Sequence, residues 1–551
     1  MFSMSVKRAW SNTVLIPVVV TVVCLVPFVG KAFHMDDPLF IWTAKHILKE
    51  PVDFYGFAVN WYGATRQMSN VTKNPPLACY FIALAGKFFG FGEVPLHTAF
   101  IVAAAAAAAG VYYLGRMLCS QPIAAALATV LAPGFLVSST NMMCDTMMLA
   151  FWVWAVYFWI KGMKEKSGSN LFFAAVLTAV CALTKYFGMS LLVLLFVYSA
   201  VRERKVGRWV LFLLIPVIIL AGYQLLTYVV YGRGLLSDAA SYAPRIGWKG
   251  NVRLFWKLLT GLSFTGGCIL TVLFYIPLLY SRRFIIVLGL LVILVMFILN
   301  FVEKIGEFSV YDSDGIKWGF AIQFGLMIAG GTGILGLAIT DFWKHRDADS
   351  LLLLLWMSGT FIFASLINWT INARSILPMI PAAGILLVRR LDHRGTGENR
   401  TGVRRILWPV VPAAVIAMSI CWADYTLADS ARIAAKTIHE IFANETGKIW
   451  FEGHWGFQYY MEAAGGEAFN FKNPHAHPRD IIVVPTNNTN LQPMPEELVI
   501  KDKLLEFDLL RWAGTMNFPL GAGFYADIWG PLPFAIGAVE PEGYMTFIVK
   551  K

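Results

Sequence analysis

Long apolar runs separated by short polar stretches recur along residues 1–425. Most runs approach the roughly 20 residues that a helix needs to cross a hydrocarbon core about 30 Å thick. The pattern therefore predicts a polytopic α-helical membrane protein with about 13 transmembrane helices. The predicted spans are 14–33, 97–115, 122–140, 144–162, 170–184, 186–201, 209–231, 257–280, 284–301, 319–340, 351–370, 374–389 and 405–423.

One further apolar run, residues 77–91, is too short for the same interpretation. Lys87 interrupts this run, and prolines stand on both sides of it. Segments of that length are more often interfacial or re-entrant than spanning. We therefore expect a 34–96 loop that carries interfacial helices on the extracytoplasmic side.

Basic residues cluster in alternate loops, which sets the predicted orientation. Cytoplasmic loops of membrane proteins carry an excess of Lys and Arg. With these spans and a cytoplasmic N-terminus, the clusters face the cytoplasm, whereas an additional span at 77–91 would move nearly all later clusters outside. The clusters are Arg116, Lys161/Lys164/Lys166, Arg202/Arg204/Lys205/Arg208, Arg282/Arg283, Lys344/Arg346 and Arg389/Arg390/Arg394/Arg404/Arg405.

Composition agrees with a membrane protein and excludes several other classes. The 551 residues are 58% hydrophobic and 14% charged, with a net charge of +11. The basic residues serve topology, so we expect membrane lipids and no nucleic acid as partners. The seven cysteines lie in or beside apolar runs without CxxC spacing, which indicates neither a disulfide framework nor a zinc site.

The C-terminal part has a different pattern. Residues 426–551 alternate short apolar runs with polar and Pro/Gly-rich stretches, which predicts a small soluble α/β domain after a transmembrane domain at 1–425. Span parity places this domain outside the cytoplasm. Its candidate strands are 448–452, 481–485 and 544–549, and its candidate helices are 429–444 and 457–464.

The first candidate chemistry is the pair Asp36-Asp37, directly after the first span. Charged side chains at the membrane boundary of a multi-span protein are energetically costly, so their presence indicates a functional role. One carboxylate could take the proton from an acceptor hydroxyl that attacks an activated sugar, while its neighbour orients the acceptor or helps to hold a divalent cation. A helix N-cap at Asp36, before Pro38, is a compatible structural interpretation.

Four more charged residues are predicted to lie on the same side: Lys73, Asp145, Lys185 and Arg374. Separately, each has a plain structural explanation, such as a snorkelling lysine, a helix start or a turn. Together with the acidic pair they predict a cavity for an anionic, membrane-embedded substrate. In the soluble part, His454 stands among aromatic residues that could stack on a sugar, although a buried core histidine is the simpler interpretation.

Several short motifs, taken in order, resemble the bacterial protein-mannosyltransferase-like GT-C glycosyltransferases, a group that includes the lipid A aminoarabinose transferases. The resemblance covers about residues 10–390. Its elements are Asp36-Asp37-Pro38-Leu39-Phe40 for the D-E/D-x-x-Y/F start, Pro75-Pro76-Leu77 for K-P-P-L-Y-Y-W, Cys144-Asp145-Thr146 for P-D-x-P/L, Leu183-Thr184-Lys185 for L-T-K-G, and Arg374-Ser375-Ile376-Leu377-Pro378-Met379-Ile380-Pro381 for R-Y-x-L-P-x-x-P.

The resemblance implies transfer of a sugar from a polyprenyl-phosphate donor to an acceptor outside a bacterial inner membrane, with inversion. It implies a hexosyl- or pentosyltransferase whose acceptor is lipopolysaccharide, another envelope glycan, a lipid or a protein. Asp36 would be the catalytic base and Asp37 its partner. The donor phosphate would be bound by Lys73, Lys185 and Arg374, with Asp145 in support. His454 lies beyond the resemblance and is a supporting candidate only because of its aromatic surroundings.

The chain departs from the family pattern at three positions. Asn74 stands where the family has a lysine before Pro-Pro, Tyr186 replaces a glycine, and Ser375 replaces a tyrosine. Donor binding is therefore expected to differ in detail. The identity of the sugar and any dependence on a divalent cation stay open, and the alternative functions are a secondary transporter of an anionic substrate or a non-catalytic envelope assembly protein.

Overall fold

The computed structural model describes residues 13–242, 251–394, 408–445, 447–472 and 474–550. Arg404, Arg405, the start of the predicted span 405–423 and residues 243–250 of the extracytoplasmic loop after span 209–231 lie outside these ranges. The described part is mostly helical, with a mixed sheet near the C-terminus.

The helices are numbered in chain order. The first ten are α1 (Leu15–Leu25), α2 (Asp37–Ile47), α3 (Met68–Val71), α4 (Leu77–Phe89), α5 (Glu93–Leu118), α6 (Pro122–Val130), α7 (Pro133–Ser139), α8 (Cys144–Glu165), α9 (Gly168–Thr184) and α10 (Ser190–Glu203). The others are α11 (Val210–Tyr231), α12 (Leu235–Tyr242), α13 (Asn251–Cys268), α14 (Leu270–Leu279), α15 (Arg282–Leu299), α16 (Trp318–His345), α17 (Ala348–Ile362), α18 (Ala373–Ile376), α19 (Ile380–Arg394), α20 (Val410–Phe442) and α21 (Trp455–Ala463).

Every predicted span contains helix, but not all of these helices are long enough to cross a membrane alone. Within the described residues, 8 helices have the length and apolar composition of a span, or up to 10 if two bent pairs each count as one. The bends are 62° between α6 and α7 and 85° between α13 and α14. The polytopic helical fold is thus confirmed, and the predicted number of spans is not.

Glycines let α13 and α16 approach closely. A Cβ added at Gly266 of α13 would lie 1.9 Å from the backbone oxygen of Met327, and one at Gly331 of α16 would lie 2.1 Å from that of Leu262. Glycine is therefore required on both helices, as is common where helices pack in a membrane. This contact fixes α13, which also packs against α18.

The 34–96 loop is folded rather than irregular. It contains α2, a hairpin of β1 (Ala58–Trp61) and β2 (Ala64–Gln67), and the short α3 and α4. One face of α4 is buried, whereas Leu84, Phe88 and Phe89 are exposed. This one-sided burial in a short helix supports the interfacial assignment, which stays a prediction.

The helix α20 runs without a break from the last predicted span into the soluble part. The sequence predicted two elements here, a span ending at 423 and a helix from 429, but the structure joins them in one 33-residue helix. No Gly or Pro interrupts the sequence between them. The boundary predicted at 425/426 therefore falls inside a helix and stays a prediction.

A five-stranded sheet packs against the outer end of α20. Its order is β10-β15-β9-β7-β8, with β15 antiparallel to both neighbours and β7 parallel to both of its own. The strands are β7 (Ile449–Phe451), β8 (Glu467–Ala468), β9 (Ile481–Pro485), β10 (Val499–Phe507) and β15 (Glu542–Val549). The predicted α/β character is confirmed, although the sequence interpretation missed β8 and β10.

Short strand pairs complete the described architecture and lie outside that sheet. Residues between β10 and β15 fold back and contact the chain beside α18. The Ala373 backbone donates a hydrogen bond to the Phe524 carbonyl, and the Asp527 backbone donates one to the Ile371 carbonyl. The remaining strands are β3 (Lys304–Ile305), β4 (Phe308–Ser309), β5 (Tyr311–Asp312), β6 (Gly315–Ile316), β11 (Ala513–Gly514), β12 (Met516–Asn517), β13 (Ala522–Gly523) and β14 (Ala535–Ile536).

The C-terminal part that the sequence predicts to be soluble, from residue 426 onward, is called the soluble segment below. It contacts the chain just before Asp36. The Tyr460 hydroxyl accepts a hydrogen bond from the Phe33 backbone at 2.8 Å and lies 2.8 Å from the Glu93 carboxylate. At the start of α21, a Cβ on Gly456 would lie 2.0 Å from the Phe33 carbonyl oxygen. Glycine thus permits a backbone contact that holds α21 against the site.

Candidate functional site

A cavity of about 770 Å³ opens between the membrane helices, the 34–96 loop and the soluble segment. Its wall includes the starts of α2 and α8, the end of the β1–β2 hairpin, α12, α18 and three stretches of the soluble segment. Six of the seven site residues predicted from sequence line it, namely Asp36, Lys73, Asp145, Lys185, Arg374 and His454. The predicted convergence is therefore present in the fold.

Asp36 and Arg374 form the centre of this wall. Both terminal nitrogens of Arg374 lie 3.4 Å from Oδ2 of Asp36, and the Asp36 side chain keeps 36% of its surface exposed. Asp36 stands at the N-cap position of α2, but its side chain accepts no hydrogen bond from the helix. Its carboxylate is thus directed to the cavity rather than to capping.

Asp145 and Lys185 extend the charged set behind Arg374. Asp145 lies in the first turn of α8, where the helix dipole favours an acid. Lys185 Nζ lies 2.5 Å from Oδ1 of Asp145, and Arg374 Nη1 lies 3.9 Å from Oδ2. Charges therefore alternate along the wall in the order Asp36, Arg374, Asp145, Lys185, and each cation has an acid beside it.

Lys73 reaches the cavity from another direction. Its Nζ donates to Oδ2 of Asp238 at 2.8 Å and lies 5.6 Å from the centre of the Tyr242 ring. Both partners belong to α12, so this short helix is attached to the cavity wall through Lys73. The ion pair is partly exposed, with side-chain exposures of 25% and 28%.

Asp37 does not line the cavity. It is fully buried, and its carboxylate accepts hydrogen bonds from the backbone of His34 at 2.9 Å and of Met142 at 3.0 Å. Burial raises the pKa of Asp37 to about 7, against these hydrogen bonds, which act to lower it. The structure thus separates the predicted pair: Asp36 faces the cavity, and Asp37 ties the α2 loop to the start of α8.

His454 lines the cavity from the soluble segment. Its ring centroid is 5.0 Å from that of Trp61 and 5.5 Å from that of Tyr62, and the Asn490 amide nitrogen lies 3.0 Å from Nε2. Burial lowers the pKa of His454 to about 4, which keeps the ring neutral at physiological pH. It is a buried histidine, as the simpler interpretation held, and it also lines the cavity.

Sequence reasoning missed a buried polar network behind Arg374. Lys31 and Asp424, both fully buried, form an ion pair at 2.5 Å, and Asp424 accepts a hydrogen bond from the Tyr525 hydroxyl at 2.7 Å. The Tyr525 ring in turn lies 5.5 Å from the Arg374 guanidinium carbon. The detectable signal was an isolated charge in each of two apolar runs, since such charges are paired when buried.

The described residues hold no cluster of the side chains that most often bind a divalent cation. They contain no group of three or more His, Cys, Asp or Glu side chains placed to hold a metal. The two carboxylates on the cavity wall, Asp36 and Asp145, both lie beside Arg374. The reaction proposed below therefore uses no divalent metal ion.

Comparisons with known proteins agree with this architecture. Residues 73–226 match the family model described as dolichyl-phosphate-mannose-protein mannosyltransferase, a segment that holds Lys73, Asp145 and Lys185 but not Asp36 or Arg374. No curated protein matches the sequence. The ArnT structure from Cupriavidus metallidurans with undecaprenyl phosphate bound superposes with a TM-score of 0.51 at 14% identity, over 87% of this chain and 93% of that one.

The chain has a GT-C fold. The apo ArnT structure from the same organism gives a TM-score of 0.50 at 14% identity, over 87% of this chain and 94% of that one. An oligosaccharyltransferase from Archaeoglobus fulgidus matches with a TM-score of 0.46 at 14% identity over 84% of this chain, which spans 64% of the length of that protein. The resemblance to GT-C glycosyltransferases noted in the sequence is thus confirmed at the level of the fold.

Proposed function

We propose that this GT-C protein is a glycosyltransferase that moves a sugar from a polyprenyl-phosphate donor to an acceptor outside the bacterial inner membrane. One observation carries the proposal: a partly exposed carboxylate, Asp36, shares a cavity of about 770 Å³ with the three cations Lys73, Lys185 and Arg374. This is the combination that displacement of a lipid phosphate from a sugar requires.

The cations form the donor end of the proposed site. Arg374 can bind phosphate oxygens through its planar fork, and Lys185 adds a point charge on the other side of Asp145. Arg374 Nε is buried and has no hydrogen-bond partner among the described residues, so the protein alone does not satisfy all donors of this guanidinium. The undecaprenyl phosphate bound by the ArnT of similar fold supports this class of ligand.

Asp36 would activate the acceptor. Its carboxylate takes the proton from the acceptor hydroxyl as that oxygen forms a bond to the anomeric carbon. The bond from this carbon to the phosphate oxygen breaks, and the polyprenyl phosphate leaves with the electron pair. Attack opposite the leaving group inverts the anomeric carbon, and the cations stabilise the charge that develops on the phosphate.

A transport function is not favoured. The matching family model and the superposable ArnT structures are of glycosyltransferases. The six predicted site residues on the cavity wall also lie at the ends of helices or in loops, whereas transporter sites form at broken helices near the bilayer midplane.

The test uses the full chain purified in nanodiscs. Two quantities are measured for the wild type and Asp36→Asn. The first is the binding of undecaprenyl phosphate. The second is the transfer of sugar from a panel of labelled polyprenyl-phosphate sugars to envelope glycolipids, glycans and peptides. We expect the variant to bind the lipid phosphate and to lose transfer by about 10²-fold or more, since general-base catalysis is worth that much.

Asp508→Asn is the matched control, because Asp508 is an exposed acid in the soluble segment whose side chain keeps 76% of its surface accessible. A transfer rate of Asp36→Asn equal to that of the wild type would contradict the assignment of Asp36 as the catalytic base. Failure of the wild type to bind any polyprenyl phosphate would remove the proposed function itself.

A further inference from the structure

The cavity has two chemically different walls. All five residues that carry a charge, Asp36, Lys73, Asp145, Lys185 and Arg374, come from the membrane part. The described lining residues from the soluble segment are aromatic, apolar, hydroxyl or amide side chains and include no carboxylate, ammonium or guanidinium. The donor phosphate and the acceptor would therefore contact chemically different surfaces of the same cavity.

Two tryptophans form a fixed corner in the uncharged wall. The rings of Trp455 and Trp529 lie 5.4 Å apart at an angle of 55°, so their faces are not parallel. The indole nitrogen of Trp529 donates to Oδ1 of Asn487 at 2.6 Å, which fixes the ring. We name Trp455 and Trp529, with the adjacent His454 and Asn490, the aromatic corner.

The backbone of the aromatic corner is held in an uncommon conformation. Trp455 has φ of +61°, and Asn490 has φ of +56°. A bulky residue in the left-handed region costs of order 1–3 kcal/mol and persists only where neighbouring structure enforces it. Here the side-chain oxygen of Asn488 accepts from the His454 backbone at 3.0 Å, which ties the two loops together.

The strain at Trp455 coincides with the placement of its ring on the cavity wall. A residue of this size with a positive φ is an outlier, and such outliers cluster at ligand sites. The aromatic surfaces are therefore arranged before any ligand binds, which reduces the ordering cost of binding.

The β1–β2 hairpin brings the aromatic corner within reach of the proposed base. Tyr62 packs edge-on against His454 and is 43% exposed. Burial, followed by the negative charge of Asp36, raises the pKa of Tyr62 to about 12. Tyr62 contacts the aromatic corner through His454, and both Tyr62 and Asp36 line the cavity, so the corner and the proposed base face the same space.

These groups select one class of ligand. Aromatic faces pack on the C–H faces of sugar rings, and amide or hydroxyl groups such as Asn490 and Thr489 can bind sugar hydroxyls. A phosphorylated acceptor would need Arg or Lys, and a basic peptide would need a carboxylate. The uncharged wall offers neither.

We propose that the aromatic corner is the acceptor subsite and that it takes an uncharged saccharide. This inference rests on the proposed transferase function and names its acceptor class. The saccharide would present a hydroxyl toward Asp36 while its ring lies against Trp455 and Trp529.

The experiment measures acceptor binding without donor. Full-length protein in nanodiscs is titrated with uncharged oligosaccharides, with phosphorylated glycolipid headgroups and with peptides, and undecaprenyl phosphate is titrated separately. The variants are Trp529→Ala, Trp529→Phe and Asn490→Ala. Trp512→Ala is the control, because Trp512 is a 47% exposed tryptophan of the same segment that does not line the cavity.

We expect at least one uncharged oligosaccharide to bind the wild type and to lose about tenfold in affinity in Trp529→Ala, less in Trp529→Phe, and nothing in Trp512→Ala. Undecaprenyl phosphate binding should be equal in all of them. Because Trp529→Phe keeps an aromatic face, it separates lost stacking from misfolding.

Absence of saccharide binding at millimolar concentration, or binding unaffected by all three variants, would overturn the inference. Preference for phosphorylated headgroups or peptides would do the same. If saccharide binds as expected while no polyprenyl phosphate does, the proposed donor fails and the subsite stands, so the two failures are distinguishable.

Discussion

Arg374 directs both of its terminal nitrogens to one oxygen of Asp36, each at 3.4 Å. The same guanidinium lies 3.9 Å from Asp145. One cation thus positions the proposed base and is also available to the proposed donor phosphate. Loss of Arg374 should affect both functions, whereas loss of Asp36 should affect only transfer.

Substitution of Arg374 tests this double role. Arg374→Ala should weaken undecaprenyl phosphate binding and lower transfer by about 10²-fold or more, because an electrostatic group that acts on the leaving phosphate is removed. Arg374→Lys keeps the charge but loses the planar guanidinium. Its lipid binding and its transfer rate should therefore lie between those of the wild type and of Arg374→Ala. Arg511→Ala, at an 81% exposed arginine, is the control. Unchanged lipid binding in Arg374→Ala would contradict the donor role.

Asp238 is expected to compete with the proposed donor phosphate for Lys73. Because Asp238 accepts from Lys73 at 2.8 Å, a phosphate that binds Lys73 must break this contact. The pair is partly exposed, so its loss is worth at most about 1 kcal/mol. Asp238→Asn should therefore tighten undecaprenyl phosphate binding by about two- to fivefold, measured by titration in nanodiscs. Weaker binding than in the wild type would show that Asp238 supports the site instead.

The Lys31–Asp424 pair is predicted to stabilise the fold rather than to react. Lys31→Met leaves the buried Asp424 carboxylate without its cation, which should lower the free energy of unfolding by about 3–5 kcal/mol. Thermal unfolding in detergent measures the change. Lys436→Met is the control, since the Lys436 side chain is 78% exposed. A melting temperature equal to that of the wild type would contradict this assignment.

Glu542 should make stability depend on pH. Burial raises its pKa from 4.5 to about 7, so the folded chain keeps a proton that the unfolded chain releases above pH 4.5. The free energy of unfolding should fall as the pH rises from about 4.5 to about 7, by roughly 3 kcal/mol in total, and level off above it.

The substitution Glu542→Gln removes this component, so the difference in melting temperature between wild type and variant should depend on pH across that window. Glu540→Gln, at an exposed position two residues away, supplies the control. A wild-type profile that rises with pH relative to Glu542→Gln would have the opposite sign and refute the assignment.

The convergence of charged residues was predictable from the sequence because it depends on topology. Span parity places the loops that hold Asp36, Lys73 and Arg374 on one side, and short motifs then mark the residues. The α/β character of the C-terminal part was also visible in its pattern of apolar runs.

Contacts between distant segments were not predictable. Lys31 and Asp424 are 393 residues apart, and Lys73 and Asp238 are 165 apart, so neither pair leaves a local pattern. Asp36 and Asp37 look equivalent in sequence, yet only the first faces the cavity, since the direction of each side chain is set by the turn that begins α2. Trp529 lies in a Pro- and Gly-rich stretch that indicated only an irregular connection.

The unbroken helix α20 connects the last predicted span rigidly to the C-terminal sheet and α21, against which it packs. At about 1.5 Å per residue its 33 residues extend about 50 Å, well beyond a hydrocarbon core of about 30 Å. After Pro412 in the first turn it contains neither proline nor glycine, so it has no hinge of its own. Because this connection is rigid, the proposed acceptor would be selected by the distance from the membrane at which it presents its target sugar, as well as by its chemistry.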